Sequence, residues 1–235
     1  MPYREYRGNL FASNAQFLVN TVNCVGVMGK GVALEFRRRF PKMFEEYRRN
    51  CEEGTLRPGQ ILPYRKGHPW VLNFAIKDDW KHPAKIGWVE SCLAKFVTSY
   101  RKLGVRSVAM PWLGAMNGQL DWEKVHNLIH SYLRELSDIS IELVEFDPHA
   151  WDPLFERLLS EAKQSTAEDF CRQSGMSHSA AALILSAVRE RHATNLPEVC
   201  SLKGIGEKTI DKLYSFLVNT KASFQESAHS QLSLL

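Results

Sequence analysis

Two glycine-rich loops, each lying between an apolar strand and an amphipathic helix, limit the folds open to this chain more than any other feature. The first lies in NTVNCVGVMGKGVALEF, residues 20–36, and the second in LGAMNGQLDW, residues 113–122. Glycine allows backbone angles that other residues resist, and a loop that opens a helix can point N–H groups at an anion. An ordinary tight turn has the same glycines, so one loop is weak evidence. Two such loops, both after strands, favour a phosphate-binding site.

Strand and helix patterns alternate along the first 150 residues. Apolar runs and alternation predict strands, and 3.6-residue periodicity predicts helices. This pattern predicts an α/β fold with a mixed sheet, parallel in its centre, and helices on both faces. Ligands of such sheets bind at the carboxyl ends of the strands, where both loops lie. The predicted strands are 15–22, 60–64, 69–76, 107–112 and 139–146, and the predicted helices are 32–50 with a break at Pro41, 86–103 and 122–136.

Composition excludes several classes of protein. The five cysteines among 235 residues are odd in number, and none forms a CxxC pair, so we expect neither disulfides nor a metal site. Apolar runs are too short for a membrane span, and we expect a reduced, cytoplasmic protein with no membrane partner. A net charge of +4 permits a nucleic-acid partner without requiring one.

Three motifs, in this order, carry a resemblance to a known family. Residues 20–33 resemble the first ADP-ribose-binding loop of macrodomains, and residues 8–10 are similar to the entry to the family's adenosine pocket. Residues 73–77, followed by Trp80, resemble the segment with the catalytic lysine, and residues 111–122 resemble the second, phosphate-holding loop. The match is closest to the branch of DNA ADP-ribosyl glycohydrolases that includes the antitoxin DarG. The resemblance implies a macrodomain over residues 1–150, with ADP-ribose as ligand and no cofactor.

The resemblance also implies roles for particular residues. Lys77 is expected to engage the anomeric carbon of the distal ribose, because partial burial after an apolar run favours its uncharged, nucleophilic amine. A surface lysine at a strand end is the alternative. Asn23 is expected to join the catalytic site by binding the ribose hydroxyls, with bracing of the first loop as its alternative. The expected ligand-binding residues are Asn9, Leu10, Asn23, Val27, Met28, Gly29, Lys30, Gly31, Val32, Leu113, Gly114, Ala115, Met116, Asn117, Gly118 and Leu120.

The second loop departs from the family pattern, which reads close to LGCGNGGLDW. Ala115, Met116 and Gln119 replace a cysteine and two glycines. We expect Met116 to bring a side chain to the place where the backbone usually approaches the ligand. The catalytic aspartate of vertebrate relatives corresponds to Gly118, and Asp121 is expected to cap the following helix instead.

The lysine segment departs from the family as well. Asp78 and Asp79 follow Lys77, where basic residues are usual. The two acids either pair with Lys77 or begin the next turn.

The C-terminal third predicts a separate helical region. Residues 151–164 are expected to form a junction helix that packs on the first domain, residues 165–219 a small all-α domain, and residues 220–235 a disordered tail. LPEVCSLKGIGEKTIDKL, residues 196–213, resembles the helix-hairpin-helix DNA-binding motif, with a plain packing hairpin as the alternative. The residues expected to bind DNA phosphates are Lys203, Gly204, Gly206, Lys208, Thr209 and Lys212.

Together the two regions predict a hydrolase that removes ADP-ribose from modified DNA bases, with roles in DNA repair or toxin–antitoxin biology. Two alternatives stay open: a glycohydrolase for ADP-ribosylated protein carboxylates, and a non-catalytic reader of ADP-ribosylated DNA. The DarG antitoxin usually carries a larger, different C-terminal region that binds its toxin. This chain departs from that pattern, so a DarT-like toxin partner is left open.

Overall fold

Six strands form one twisted sheet in the computed structural model, which describes residues 3–232, with side chains as far as residue 219. They are β1 (Tyr3–Gly8), β2 (Phe17–Val22), β3 (Ile61–Tyr64), β4 (Trp70–Ala75), β5 (Ser107–Pro111) and β6 (Ser140–Phe146). Their order is β1-β6-β5-β2-β4-β3, and each pair is parallel except β3 with β4. The predicted mixed sheet with a parallel centre is therefore confirmed.

Four helices pack against this sheet: α1 (Gly31–Arg39), α2 (Pro41–Glu52), α3 (Ile86–Ser99) and α4 (Trp122–Leu133). Pro41 ends α1 and begins α2, since proline lacks the N–H that a continuing helix needs. Helix α3 ends four residues before the predicted position. The chain turns after it, with a hydrogen bond from the Gly104 N–H to the Arg101 carbonyl and a left-handed backbone (φ +65°) at Gly104.

The helices cover both faces of the sheet, because alternate strand residues point to opposite sides. Phe17 and Val19 of β2 pack with α3 and α4 in one apolar core, while Leu18 and Val22 pack with α1 and α2 in the other. Two buried faces hold the central strands in register, and this fixes where their carboxyl ends lie.

The chain divides into two compact units, Met1–Asp147 and Pro148–Leu235. The second unit contains α5 (Pro153–Gln164), α6 (Ala167–Ser174), α7 (His178–Arg189), α8 (Leu196–Cys200) and α9 (Glu207–Leu232). None of the helices within residues 3–232 combines the length and apolarity needed to cross a membrane.

Helix α5, predicted to be a junction helix that packs on the first domain, is part of the second unit, and its packing on the first domain stays a prediction. Its apolar face, with Leu154, Leu158 and Ala162, is buried in the core of the second unit among residues of α7 and α9. This face packs against the apolar side chains of the other C-terminal helices. The backbone of α9 extends to Leu232, and residues 233–235 lie outside the described part of the chain. The predicted disorder of residues 220–235 stays a prediction.

Candidate functional site

The candidate site lies at the carboxyl edge of three adjacent strands, β5, β2 and β4. The first loop follows β2, the second loop follows β5, and the lysine segment follows β4. Since these strands are parallel, their carboxyl ends meet at one edge. The three sequence motifs therefore converge although about 90 residues separate the first from the last.

Asn23 organises the first loop from its base. The buried side chain donates from Nδ2 to the Val27 carbonyl at 2.6 Å. Its Oδ1 accepts hydrogen bonds from the N–H of Val25 (3.1 Å), the N–H of Val27 (3.3 Å) and the hydroxyl of Tyr47 (3.0 Å). These contacts are those of the bracing alternative. A ribose contact would have to use the remaining amide hydrogen, so that part of the Asn23 assignment stays a prediction.

The start of α1 supplies donors for an anion. Gly31 is its first residue and has φ +57°, and the preceding Lys30 makes no side-chain hydrogen bond that caps the helix. The Met28 side chain is buried, so Met28 itself can face a ligand only through its backbone. First-turn N–H groups and the positive end of the helix suit a phosphate.

The second loop closes tightly on itself. The Leu120 N–H donates to the Gly114 carbonyl at 3.0 Å, and the Gln119 N–H donates to the Met116 carbonyl at 3.1 Å. A Cβ at Gly118 would lie 2.3 Å from the Gly114 oxygen, so this position accepts no side chain without backbone movement. The close packing of the second loop therefore requires glycine at position 118.

The side chains of the second loop differ in burial. Leu113 is fully buried in the core, and Leu120 packs against the same core, so both could meet a ligand only through the backbone. Met116 is 74% exposed, and its side chain extends toward solvent. The expectation that the Met116 side chain occupies the ligand approach stays a prediction.

Asn117 joins the three motifs. A Cβ added at Gly31 would lie 2.4 Å from the Asn117 Nδ2 atom. The two loops are therefore in contact at this point. The Asn117 carbonyl accepts a hydrogen bond from Lys77 Nζ at 2.7 Å. No sequence signal marked this carbonyl as a contact of Lys77, because 40 residues separate the two.

Lys77 is half-buried, and burial lowers the pKa of its ammonium group below the ordinary lysine value. The neighbouring acids take the second of their two predicted roles and begin a turn. Asp78 Oδ1 accepts from the Asp79 N–H at 2.8 Å and lies 3.5 Å from the His82 ring, and Asp79 Oδ1 accepts from the Lys81 N–H at 2.9 Å. Because burial lowers the pKa, Lys77 loses its proton more readily than an ordinary exposed lysine does.

Two further predictions concern side chains beside the loops. The Asp121 carboxylate caps α4 by accepting from the Lys124 N–H, as predicted. Asn9 Oδ1 accepts from the Phe11 N–H and caps a short 3-10 turn (Leu10–Ala12), in which Leu10 is buried. These contacts stabilise the turn, and the expected place of Asn9 and Leu10 near an adenosine stays a prediction.

The hairpin of the second unit connects α8 to α9. Gly204 has φ +95°, and the Gly206 carbonyl accepts from the N–H groups of Thr209 and Ile210 in the first turn of α9. Lys203 and Lys208 are exposed on this hairpin. Lys212 points elsewhere, because its Nζ donates to the Gly175 carbonyl at 2.5 Å, where it caps the end of α6. We therefore expect Lys212 to contribute less to phosphate binding than Lys203 and Lys208.

Comparisons with known proteins agree with this geometry. Residues 19–129 match the model of the family described as Macro domain. A Thermus aquaticus protein named DNA ADP-ribosyl glycohydrolase is 42% identical over 146 residues, which are 60% of this chain and 41% of that protein. The chain thus spans about two fifths of the length of this curated relative.

Two solved structures are also similar. The structure titled macrodomain of Thermus aquaticus DarG has a TM-score of 0.57 and 41% identity, and the match covers 62% of this chain and 98% of that one. The structure titled Thermosipho africanus DarTG in complex with ADP-ribose has a TM-score of 0.58 and 32% identity, with 61% and 41% covered.

Proposed function

We propose that this chain, which belongs to the macrodomain family through its N-terminal unit, is a hydrolase that removes ADP-ribose from modified DNA bases. The observation that carries the proposal is the position of Lys77, whose Nζ lies 2.7 Å from the Asn117 carbonyl where the two loops meet. The 42% identity to a protein named DNA ADP-ribosyl glycohydrolase supports the reaction class.

The two loops would hold the ADP-ribose diphosphate. The N–H groups at the start of α1 and those of residues 113–117 would provide donors without a fixed cation, and the α1 dipole would add a positive end. Backbone donors suit this role because the loops are already braced, the first by Asn23 and the second by the contact of Gly118 with Gly114. Binding then costs little reorganisation.

Lys77 would act on the distal ribose beside the diphosphate. An uncharged amine can attack the anomeric carbon while the bond from that carbon to the base breaks, and the base takes the electron pair and then the proton that the newly bonded nitrogen loses. Water then replaces the amine on the sugar, so the net reaction is hydrolysis. The lowered pKa of Lys77 favours this step, since burial disfavours the ammonium form that has no lone pair.

The second loop provides no carboxylate for protonating the leaving group. Gly118 stands at the position that the resemblance gives to the catalytic aspartate of vertebrate relatives, and the Asp121 carboxylate caps α4. A leaving group that stabilises its own electron pair fits such a site, and the ring nitrogen of a nucleobase is one. A protein carboxylate is another, so the choice of DNA rests on the similar proteins and on the second unit.

The deciding experiment compares the two substrates directly. The full chain is incubated in parallel with ADP-ribosylated DNA and with a protein ADP-ribosylated on carboxylates, and free ADP-ribose is followed over time. We expect faster release from DNA. Faster release from the protein would favour the carboxylate-directed alternative, and tight binding of modified DNA without release would identify a reader.

The second unit would hold the DNA backbone through the α8–α9 hairpin. We expect the double variant Lys203→Ala/Lys208→Ala to bind unmodified DNA more weakly and to reduce the slope of log affinity against log salt by about 2, because each phosphate contact releases about one counterion. The measurement is fluorescence anisotropy of labelled DNA at several salt concentrations.

Lys212→Ala is the matched control for this prediction. It removes one positive charge from the same helix, but its ammonium group is held by the Gly175 carbonyl. We expect Lys212→Ala to change the salt slope by less than half as much as the double variant does. Equal effects of the two variants, or no effect of either, would favour a structural role for the hairpin.

A further inference from the structure

A cluster of one carboxylate and two imidazoles lies between β1 and α4. Glu5 belongs to β1, and His126 and His130 belong to α4. The histidines are four residues apart, so both face the same side of the helix. His126 Nε2 lies 2.9 Å from Glu5 Oε2, and His130 Nε2 contacts the other carboxylate oxygen. All three side chains offer a metal-ligand atom, and these atoms lie within 4.8 Å of one another.

Aromatic neighbours fix the orientation of this cluster. The His126 ring lies between the rings of Trp122 and His130, with centroid distances of 5.3 Å and 4.2 Å. The edge of Tyr3 meets His130 at 5.2 Å, and the Tyr3 hydroxyl donates to Glu5 Oε1 at 3.0 Å. The three ligand side chains are about a third exposed, which leaves an opening to solvent. Packed neighbours and a hydrogen bond to the ligating carboxylate are the surroundings that orient metal ligands.

We propose that Glu5, His126 and His130 bind a divalent transition metal ion, with Zn²⁺ as the best fit. Two imidazole nitrogens and one carboxylate form a ligand set that Zn²⁺ accepts, at distances of about 2.0–2.2 Å, with water in a fourth position. Small rotations that separate the present nitrogen–oxygen contacts would place an ion between the three atoms. Calcium and magnesium fit less well, because they prefer oxygen ligands.

The ion would link the edge of the sheet to the helix that begins beside the second loop. Among the described strands, β1 pairs only with β6 at one end of the strand order, so strand-to-strand hydrogen bonds hold it on one side. Helix α4 begins at Trp122, whose ring stacks on Trp112 at 4.0 Å, and Trp112 precedes the second loop. Metal binding at this cluster would therefore stabilise the first unit and the base of that loop. It requires no part of the proposed catalytic site.

The test uses the full chain, stripped with a chelator and kept reduced by a phosphine that spares metals. Zn²⁺ is titrated by calorimetry, and unfolding is followed at a zinc concentration about 100-fold above Kd. Because a ligand that binds the folded state stabilises it, we expect the midpoint Tm to rise by roughly 5 °C or more. Substituting Co²⁺ should give visible absorption bands with the intensity of a nitrogen- and oxygen-ligated site of low coordination number.

The double variant His126→Ala/His130→Ala separates this site from zinc binding by the five cysteines. We expect it to bind one ion fewer per chain, to lose the Tm rise and to lose the cobalt bands. Asn127→Ala, on the exposed face of α4, is the matched control and should behave as wild type. Metal-free Tm and ADP-ribose binding check that each variant folds.

Glu5→Gln covers the case in which the double variant fails to fold. It keeps a hydrogen-bonding side chain between the histidines but removes the anionic ligand, so we expect zinc affinity to fall by roughly tenfold or more. Unchanged stoichiometry and an unchanged Tm rise in a folded variant would overturn the proposal. So would a wild-type chain without saturable zinc binding, and the cluster would then be a carboxylate hydrogen-bonded to two imidazoles and no more.

Discussion

Replacing Lys77 with alanine should lower the rate of ADP-ribose release from modified DNA by roughly 10³-fold or more, because it removes the proposed nucleophile. Affinity for ADP-ribose should change by less than about tenfold, since the hydrogen bond lost to the Asn117 carbonyl is worth about 1 kcal/mol. A large loss of rate with little loss of binding is typical of an interaction made mainly in the transition state. Single-turnover release and calorimetric titration measure the two quantities.

Two further variants sharpen this result. Lys77→Arg keeps a positive donor for the Asn117 carbonyl but cannot supply an uncharged amine near neutral pH, so it should be as inactive as Lys77→Ala. Lys81→Ala removes a nearby lysine whose ammonium group lies over the Trp80 ring, and it should keep most of the activity. Full activity in Lys77→Arg would mean that position 77 acts as a cation and not as a nucleophile.

The lysine also predicts how the rate depends on pH. An amine that must be uncharged gives a rate that rises with pH through the pKa of Lys77. Burial lowers that pKa, so the midpoint should lie below the value of an ordinary lysine. A flat profile across the same range would contradict the assignment.

Local patterns predicted the elements of the first unit well, because periodicity and capping are short-range properties. The strand before the first loop, the break at Pro41 and the cap by Asp121 all follow from residues within a few positions of one another. Local patterns could not decide between the two roles of Asp78 and Asp79, because the choice depended on where the Lys77 ammonium group points.

Contacts between distant residues were beyond the same reasoning. The two histidines of α4 show a visible four-residue spacing, but their partner Glu5 lies more than 120 residues earlier in the chain. Only the pairing of β1 with β6 and the packing of α4 bring them together. Likewise, a lysine in the sequence KTIDKL suggests a phosphate contact, and only the fold shows that Lys212 reaches the Gly175 carbonyl instead.

Gly118→Ala should have the second large effect, through the shape of the second loop. An added Cβ would lie 2.3 Å from the Gly114 oxygen and 2.5 Å from its Cα, so the backbone itself must move. Overpacking of this kind costs about 3 kcal/mol or more, which corresponds to a fall in Tm of roughly 6 °C or more. The hydrogen bonds from Leu120 to Gly114 and from Ala84 to Gly118 would be strained together, and the loop would lose its ligand-ready shape.

The affinity for ADP-ribose should therefore fall more in Gly118→Ala than in Lys77→Ala. The rate of the chemical step should show the reverse order, because the lysine acts mainly on that step. Gln119→Gly is the matched control in the same loop. Gln119 has φ +58°, a conformation that glycine adopts without strain, so this variant should bind ADP-ribose as wild type does and change Tm by little. Calorimetric titration at a temperature where all three variants are folded compares them directly. If Gly118→Ala binds normally, the second loop does not hold the ligand, and the first loop alone must supply the donors for the diphosphate.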